Sequence, residues 1–370
     1  MRRKGSDSAD GTPPPDASPA RREVRGVPRG RWMPLGKDGR LTLYARTDGG
    51  VLRWTQRVPG GDRWDGPDFV RIADLTDLTV VQGDDAYVHF LGRRERRGPD
   101  GPGVDFVHAV QYQTGRPVTE WRSFGNPYRD REKGLKAGAP AGTVDAQGAV
   151  HVFVRNAGRG LHVRREGKNG SWEAWQDLKG SGLTAGIVPS VTSSGRVEVF
   201  AASEHGMQQW RQEDAKGPLQ LVPSALRLTS LENSATALET APDRLTYYWT
   251  EANGAGVTSY REGAWPVPVG GLPGDGAVVA LRTPLDGIDC TVLAQRGAGS
   301  TLLIGVCATE GEQNGVWWSD TTEKCVGDPA LALDGQGRVV VAVHGPDGAV
   351  SLARQEPGPG LTLSPVWHRL

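Results

Sequence analysis

The residues of this chain best suited to recognition chemistry are its tryptophans, 12 in 370 residues. Several come with polar neighbours at short spacing. Leu161-His162-Val163-Arg164-Arg165 is followed by Ser171-Trp172-Glu173-Ala174-Trp175. An indole is a flat, rigid partner for the apolar C–H face of a sugar ring, at little entropic cost. An Arg or His beside it takes up the hydroxyls. Trp54, Trp64, Trp172, Trp175, Trp210, Trp317 and Trp318, together with His162 and Arg164, are therefore the candidate carbohydrate-binding residues. Trp317 and Trp318 are adjacent, and neighbours on a strand point to opposite faces, so one of the two is expected to be exposed. The competing reading is packing, because an aromatic that recurs in every repeat unit fills the space between units.

Catalytic chemistry has no comparable signature. Neither a Gly-x-Ser-x-Gly elbow nor a Walker loop occurs. Asp48, Asp145, Glu198 and Asp347 are carboxylates that a glycosidase would need in pairs about 5–10 Å apart, a distance that sequence does not supply. His89, His108, His151 and His344 fall on strand-like runs without a second ligand at metal spacing, so neither a metal nor another cofactor is expected. Arg93, Arg94, Arg96 and Arg97, interrupted by Glu95, read as a solvated loop. The three cysteines, Cys290, Cys307 and Cys325, lack zinc or redox-pair spacing. Cys290 and Cys307 flank the turn Arg296-Gly297-Ala298-Gly299-Ser300 and fall almost opposite one another in a hairpin. A cross-strand disulfide is one reading; two buried thiols is the preferred one.

The elements that must position these residues are repeated. Gly39-Arg40-Leu41-Thr42-Leu43-Tyr44 leads to a turn at Asp48-Gly49-Gly50, then to Val51-Leu52-Arg53-Trp54 and Trp64. Gly148-Ala149-Val150-His151-Val152-Phe153 begins a second such phrase, and others start near residues 195, 243 and 337. Degenerate copies near residues 84 and 288 bring the number to seven. Apolar and polar residues alternate within each copy, and each central turn carries Gly with Asp or Asn, so the copies are hairpins. Small-residue stretches such as Ala137–Thr143 and Asp328–Ala332 supply a further strand that converges on an axis with little room. Four strands per copy at this period predict an all-β fold: a seven-bladed β-propeller with four-stranded antiparallel blades over residues 29–370. Residues 1–28, with Pro13-Pro14-Pro15 and hardly any large apolar side chain, read as a disordered tail.

WD40 punctuation, the kelch Gly-Gly doublet and the sialidase-type Asp box are absent in phase. The phrase that recurs is Gly-Arg-Leu/Val-x-Val-Phe, a Gly turn, and a Ser-Trp-x-x-Trp-x-x-Leu-x-Gly ending, clearest at Ser171–Gly180. It resembles the PLL-type (tectonin-like) bacterial lectins, seven-bladed propellers. The resemblance implies shallow sugar pockets between adjacent blades, lined by aromatic side chains, and fucosylated or O-methylated glycans as ligands. Blade four departs from it, with Leu219-Gln220-Leu221-Val222-Pro223 in place of the Trp-x-x-Trp ending.

Bulk composition narrows the alternatives. Lys and Arg total 43, Asp and Glu total 43, and the formal net charge is zero, which argues against a nucleic-acid partner. No run approaches the roughly 18 apolar residues of a membrane span. Met1-Arg2-Arg3-Lys4 has no apolar stretch after it, so no signal peptide is visible. A cytoplasmic location is the default expectation, with leaderless export left open. The expected function is a non-enzymatic, lectin-like module with weak multivalent sites for glycans or glycoconjugates. A protein-interaction scaffold with decayed sugar sites is the alternative, and a propeller glycoside hydrolase is a third reading.

Overall fold

Alternating apolar and polar residues pair into hairpins wherever a turn permits positive φ. Gly49 and Gly348 provide this at the central turns of the first and last copies, with φ of 73° and 75°. A computed structural model describes residues 22–370 except 100, 224–225 and 272–273; most of the tail expected over 1–28 lies outside the described residues. The strands form seven antiparallel sheets, one per repeat. Blade four is representative: Leu183–Val191, Val197–Ser203, Gly206–Arg211 and Gln220–Leu221 run from the axis outwards. The small-residue stretches are the inner strands, as at Ala141–Val144 and Ala330–Leu333.

Blade one has three regular strands, and residues 32–35 occupy its inner position. Tyr44 and Thr42 donate backbone hydrogen bonds to the Trp32 and Pro34 carbonyls there, but Pro34 has no N–H to return. The segment before it is ordered as well. Val24 is buried, Arg25 N–H donates to Arg46 O, and Arg29–Gly30 pairs in parallel with the inner strand of blade two. The folded part therefore begins several residues before residue 29.

Buried apolar residues form seven clusters among the described residues, one at each seam between neighbouring blades. The seam between blades seven and one joins Val340 and Ala342 to Leu41 and Leu43. No strand crosses it, so side chains complete the ring. Arg338 donates to Gly60 O at 2.7 Å, and Arg354 donates to Gly61 O at 2.9 Å and ion-pairs with Asp62.

One repeated polar device escaped the sequence reading. Gln56 ends a third strand, and Gln212 and Gln355 directly follow one. Each accepts the first amide of the second strand (Leu41, Val197, Val339) and donates to the carbonyl of a glycine five residues on (Gly61, Gly217, Gly360). Gln with Gly at +5 was the signal.

Two expectations are corrected. The Arg93–Arg97 run is not a loop but part of a long hairpin, Val88–Gly98 with Gly101–Gln111. Arg93 is buried there and donates to Leu135 O and Ala137 O. Cys290 and Cys307 are not opposite one another. Cys290 pairs with Ala308 and Thr291 with Cys307, so the one-residue offset sends the two thiols to opposite faces. All three cysteines are free and buried. A five-residue helix, Arg131–Leu135, was not expected; Asp130 caps it by accepting from Lys133 N.

Candidate functional site

Side-chain alternation on the third and fourth strands of blade three aims four groups at blade two. His162 is paired across the sheet with Asp177, so both point to one face, and Arg164 and Trp175 lie two residues along on that same face. They meet the loop after blade two, which carries Phe124, Gly125 and Tyr128. Trp175 Nε1 donates to Gly125 O at 3.3 Å. The Arg164 guanidinium lies 5.9 Å from the Trp175 ring, donates to Glu173 O at 2.5 Å and also donates to Phe124 O. Trp172 stacks on Phe124, with centroids 4.7 Å apart, and meets the His108 ring edge-on at 5.4 Å. These contacts hold the seam.

The remaining polar groups of this seam lie beside these contacts. The Tyr128 ring meets His162 edge-on at 5.7 Å. Tyr128 Oη accepts from Ala157 N–H at 3.0 Å, which leaves its own proton free to donate. Burial holds the His162 imidazole below its ordinary pKa, so it is neutral at pH 7. Its Nδ1 is buried and has no hydrogen-bond partner among the described residues. The backbone amide of Lys179, then its ammonium, hold the Asp177 carboxyl below the usual carboxylate range. A neutral imidazole, a phenol proton and a carboxylate beside an indole thus lie side by side at this seam. Such a set exchanges hydrogen bonds with the vicinal hydroxyls of a sugar.

The other candidates separate by depth. Trp54 and Trp210 are buried inside seams, and Trp210 Nε1 donates to Leu178 O of the neighbouring blade at 2.9 Å. Both are withdrawn as ligand contacts, because a closed blade face covers them. Trp64 is half-buried against the same cluster as Trp54. Trp318 packs into the seam between blades five and six and donates to Val269 O, whereas Trp317 is 84 % exposed. Trp265 was not singled out and is 90 % exposed at the edge of blade five. Tyr128 and Asp177 were also missed. Their only sequence signal was Pro-Tyr in an inter-blade loop and an Asp two residues after the second Trp.

The four carboxylates considered for hydrolysis are each held by local partners. Burial would raise Asp145, but the hydrogen bond from His151 and the turn amides of Ala149 and Gln147 hold it down at about 2. Glu198 accepts from Gln209 and from Tyr247 Oη, each at 3.0 Å. Asp48 pairs with Arg25 and Asp347 with Arg369. These four lie on four different blades or their turns, and none is paired with another of the set.

No family model and no curated protein sequence matches this chain. Solved structures do. The BP39L lectin from Burkholderia pseudomallei superposes with a TM-score of 0.70 at 12 % identity, covering 94 % of this chain and 99 % of that one. A PL25 ulvan lyase matches with a TM-score of 0.58 at 11 % identity, covering 90 % and 94 %. AofleA from Arthrobotrys oligospora matches at 0.53 and 9 % identity, covering 94 % and 87 %. At these identities what is shared is the propeller fold, and folds of this kind carry both binding and catalysis.

Proposed function

We propose that this propeller binds carbohydrate without turning it over, and that the seam between blades two and three is its principal site. The observation that carries the reading is the buried, unpartnered His162 Nδ1 in a ring that meets Tyr128 and shares a sheet face with Asp177. A buried polar atom left unmatched costs about 1–3 kcal/mol, and a ligand hydroxyl would recover it. Trp175 and Arg164 hold the wall, and the free edge of the indole borders the ring of the sugar. Fucosylated or O-methylated glycans, the class implied by the repeat phrase, are the first to test. Single shallow sites bind weakly, and attachment to a multivalent glycan surface raises the effective concentration.

A glycan array on the full chain, followed by saturation-transfer NMR on the hits, tests this. The expected result is binding by the wild type and a loss of tenfold or more in His162→Ala and Tyr128→Phe, with unchanged thermal unfolding. Absence of any glycan hit, or wild-type binding by His162→Ala, overturns it. Aryl glycosides are expected to survive incubation intact, and release of the aglycone would overturn the non-catalytic part.

A further inference from the structure

A cavity of about 300 Å3 lies apart from the seam of blades two and three. Its wall includes Arg29 of the N-terminal segment, Arg46 of blade one, Asp77 of blade two, Arg296 of blade six and Asp328 at the entry to blade seven. Residues from blades six, seven, one and two share a wall only near the axis of the ring. The cavity is therefore the mouth of the central channel, at the end where the inner strands begin. Leu75–Gln82 starts two residues before Asp77, and Ala330–Leu333 starts two residues after Asp328.

The charges in this mouth are not balanced. Asp328 accepts from the Ala277 amide at 2.9 Å, and Asp77 lies 4.0 Å from Arg93, outside the cavity wall. Arg296 is paired with Asp275 at 2.8 Å, yet its Nε is buried without a hydrogen-bond partner. Arg29 and Arg46 have no carboxylate within ion-pair distance among the described residues, and the hydrogen bond of Arg46 is a 3.5 Å contact with Leu75 O. Arg29 and Arg46 thus line a cavity of monosaccharide size, with no ion pair of their own among the described residues, beside the carboxylates of Asp77 and Asp328. Ligand sites start at about this volume, and the guanidinium fork matches a carboxylate in two parallel hydrogen bonds.

We propose that the axial mouth is a second binding site, for a carboxylate-bearing sugar unit such as a uronate, with Arg29 and Arg46 as its anion contacts. The sugar half of this statement rests on the carbohydrate reading above; the anion half stands on the cavity alone. Glucuronate and glucose differ only in a carboxylate for a hydroxymethyl group, and titration calorimetry of the full chain with each, at low and high salt, tests it. Glucuronate is expected to bind at least tenfold tighter than glucose. Arg46→Ala and Arg29→Ala are each expected to lose tenfold or more, and 0.5 M NaCl is expected to weaken binding. Arg282→Ala, which removes an exposed ion pair with Asp289, is the charge control and binds as wild type. Should Arg46→Ala fail to fold, Arg29→Ala carries the test alone. Equal affinity for the two sugars, or wild-type binding by a folded Arg29 or Arg46 variant, overturns the proposal. Loss of glucuronate binding with neutral glycans still bound removes the axial site and leaves the seam. Glucuronate binding by a chain that takes no neutral glycan does the reverse.

Discussion

Trp318 and Trp317 are consecutive residues with opposite fates. The Trp318 indole donates to Val269 O at 2.8 Å and packs into the seam between blades five and six, while Trp317 is 84 % exposed. Room for Trp318 comes from Gly305, its cross-strand partner, where a Cβ would stand 3.0 Å from the indole ring. Trp318→Ala is therefore expected to lower stability by about 2–4 kcal/mol, and Trp317→Ala by less than about 0.5 kcal/mol. Urea unfolding of the two variants checks this; equal losses would mean that the exposed ring is also packed.

The buried pair His89 and His108 sets a pH limit. Their rings stack 5.3 Å apart, with Nδ1 of His89 3.0 Å from Nε2 of His108. Burial lowers His89 to about 4, with Asp85 opposing, and lowers His108 to about 3, with His89 adding to the shift. Both stay neutral in the fold where the unfolded chain, near 6.5, already takes up protons. Stability is therefore full above about pH 6.5 and falls as pH drops towards 4, by about 2 kcal/mol per ring at pH 5. The loss of unfolding free energy between pH 7 and pH 5 is expected to shrink in His89→Leu/His108→Leu relative to wild type. An unchanged loss would place the acid sensitivity elsewhere.

Asp145 contributes in a lower window. Its depressed pKa of about 2 means that stabilisation is present above about pH 4 and lost as pH falls through 4 to 2. The size is on the order of 2 kcal/mol. Asp145→Asn is expected to be that much less stable at pH 7, with the gap closing near pH 2, as read from chemical denaturation at both pH values. A gap independent of pH would rule out the ionic origin.

Ring closure without strand exchange predicts a sensitive seam. Arg354 reaches from blade seven to Asp62 and Gly61 of blade one and lies 3.3 Å from the buried Asp334. Arg354→Met is expected to cost about 2–4 kcal/mol, because it removes one of the two hydrogen bonds to Gly61 O and leaves the buried Asp334 with one fewer cation. The exposed Arg282–Asp289 pair is expected to be worth less than about 1 kcal/mol. Thermal unfolding of Arg354→Met and Arg282→Met gives the comparison, and similar midpoints would show that the seam is held by apolar packing alone.

The repeat was legible in the chain by itself. Hairpin turns with Gly and alternating residues recur in seven copies, two of them degenerate, with small residues on inner strands such as Ala141–Val144 and Ala330–Leu333, and only a closed ring buries both faces of every such sheet. Proximity in the chain grouped His162, Arg164 and Arg165 with Trp172 and Trp175; the sheet turns His162 and Arg164 to one face and Arg165 to the other, where it pairs with Asp145. Depth was not legible, since it depends on the neighbouring blade. Trp54 and Trp210 were grouped with the accessible tryptophans, and only tertiary packing covers them. Register was not legible to one residue, and a slip of one separates Cys290 from Cys307. Tyr128 joins His162 across a seam, and Arg29 of the N-terminal segment, Arg46 of blade one and Arg296 of blade six line one cavity. Ring closure alone brings Arg296 to Arg29 and Arg46, because residues so far apart in the chain meet only where it returns to its start.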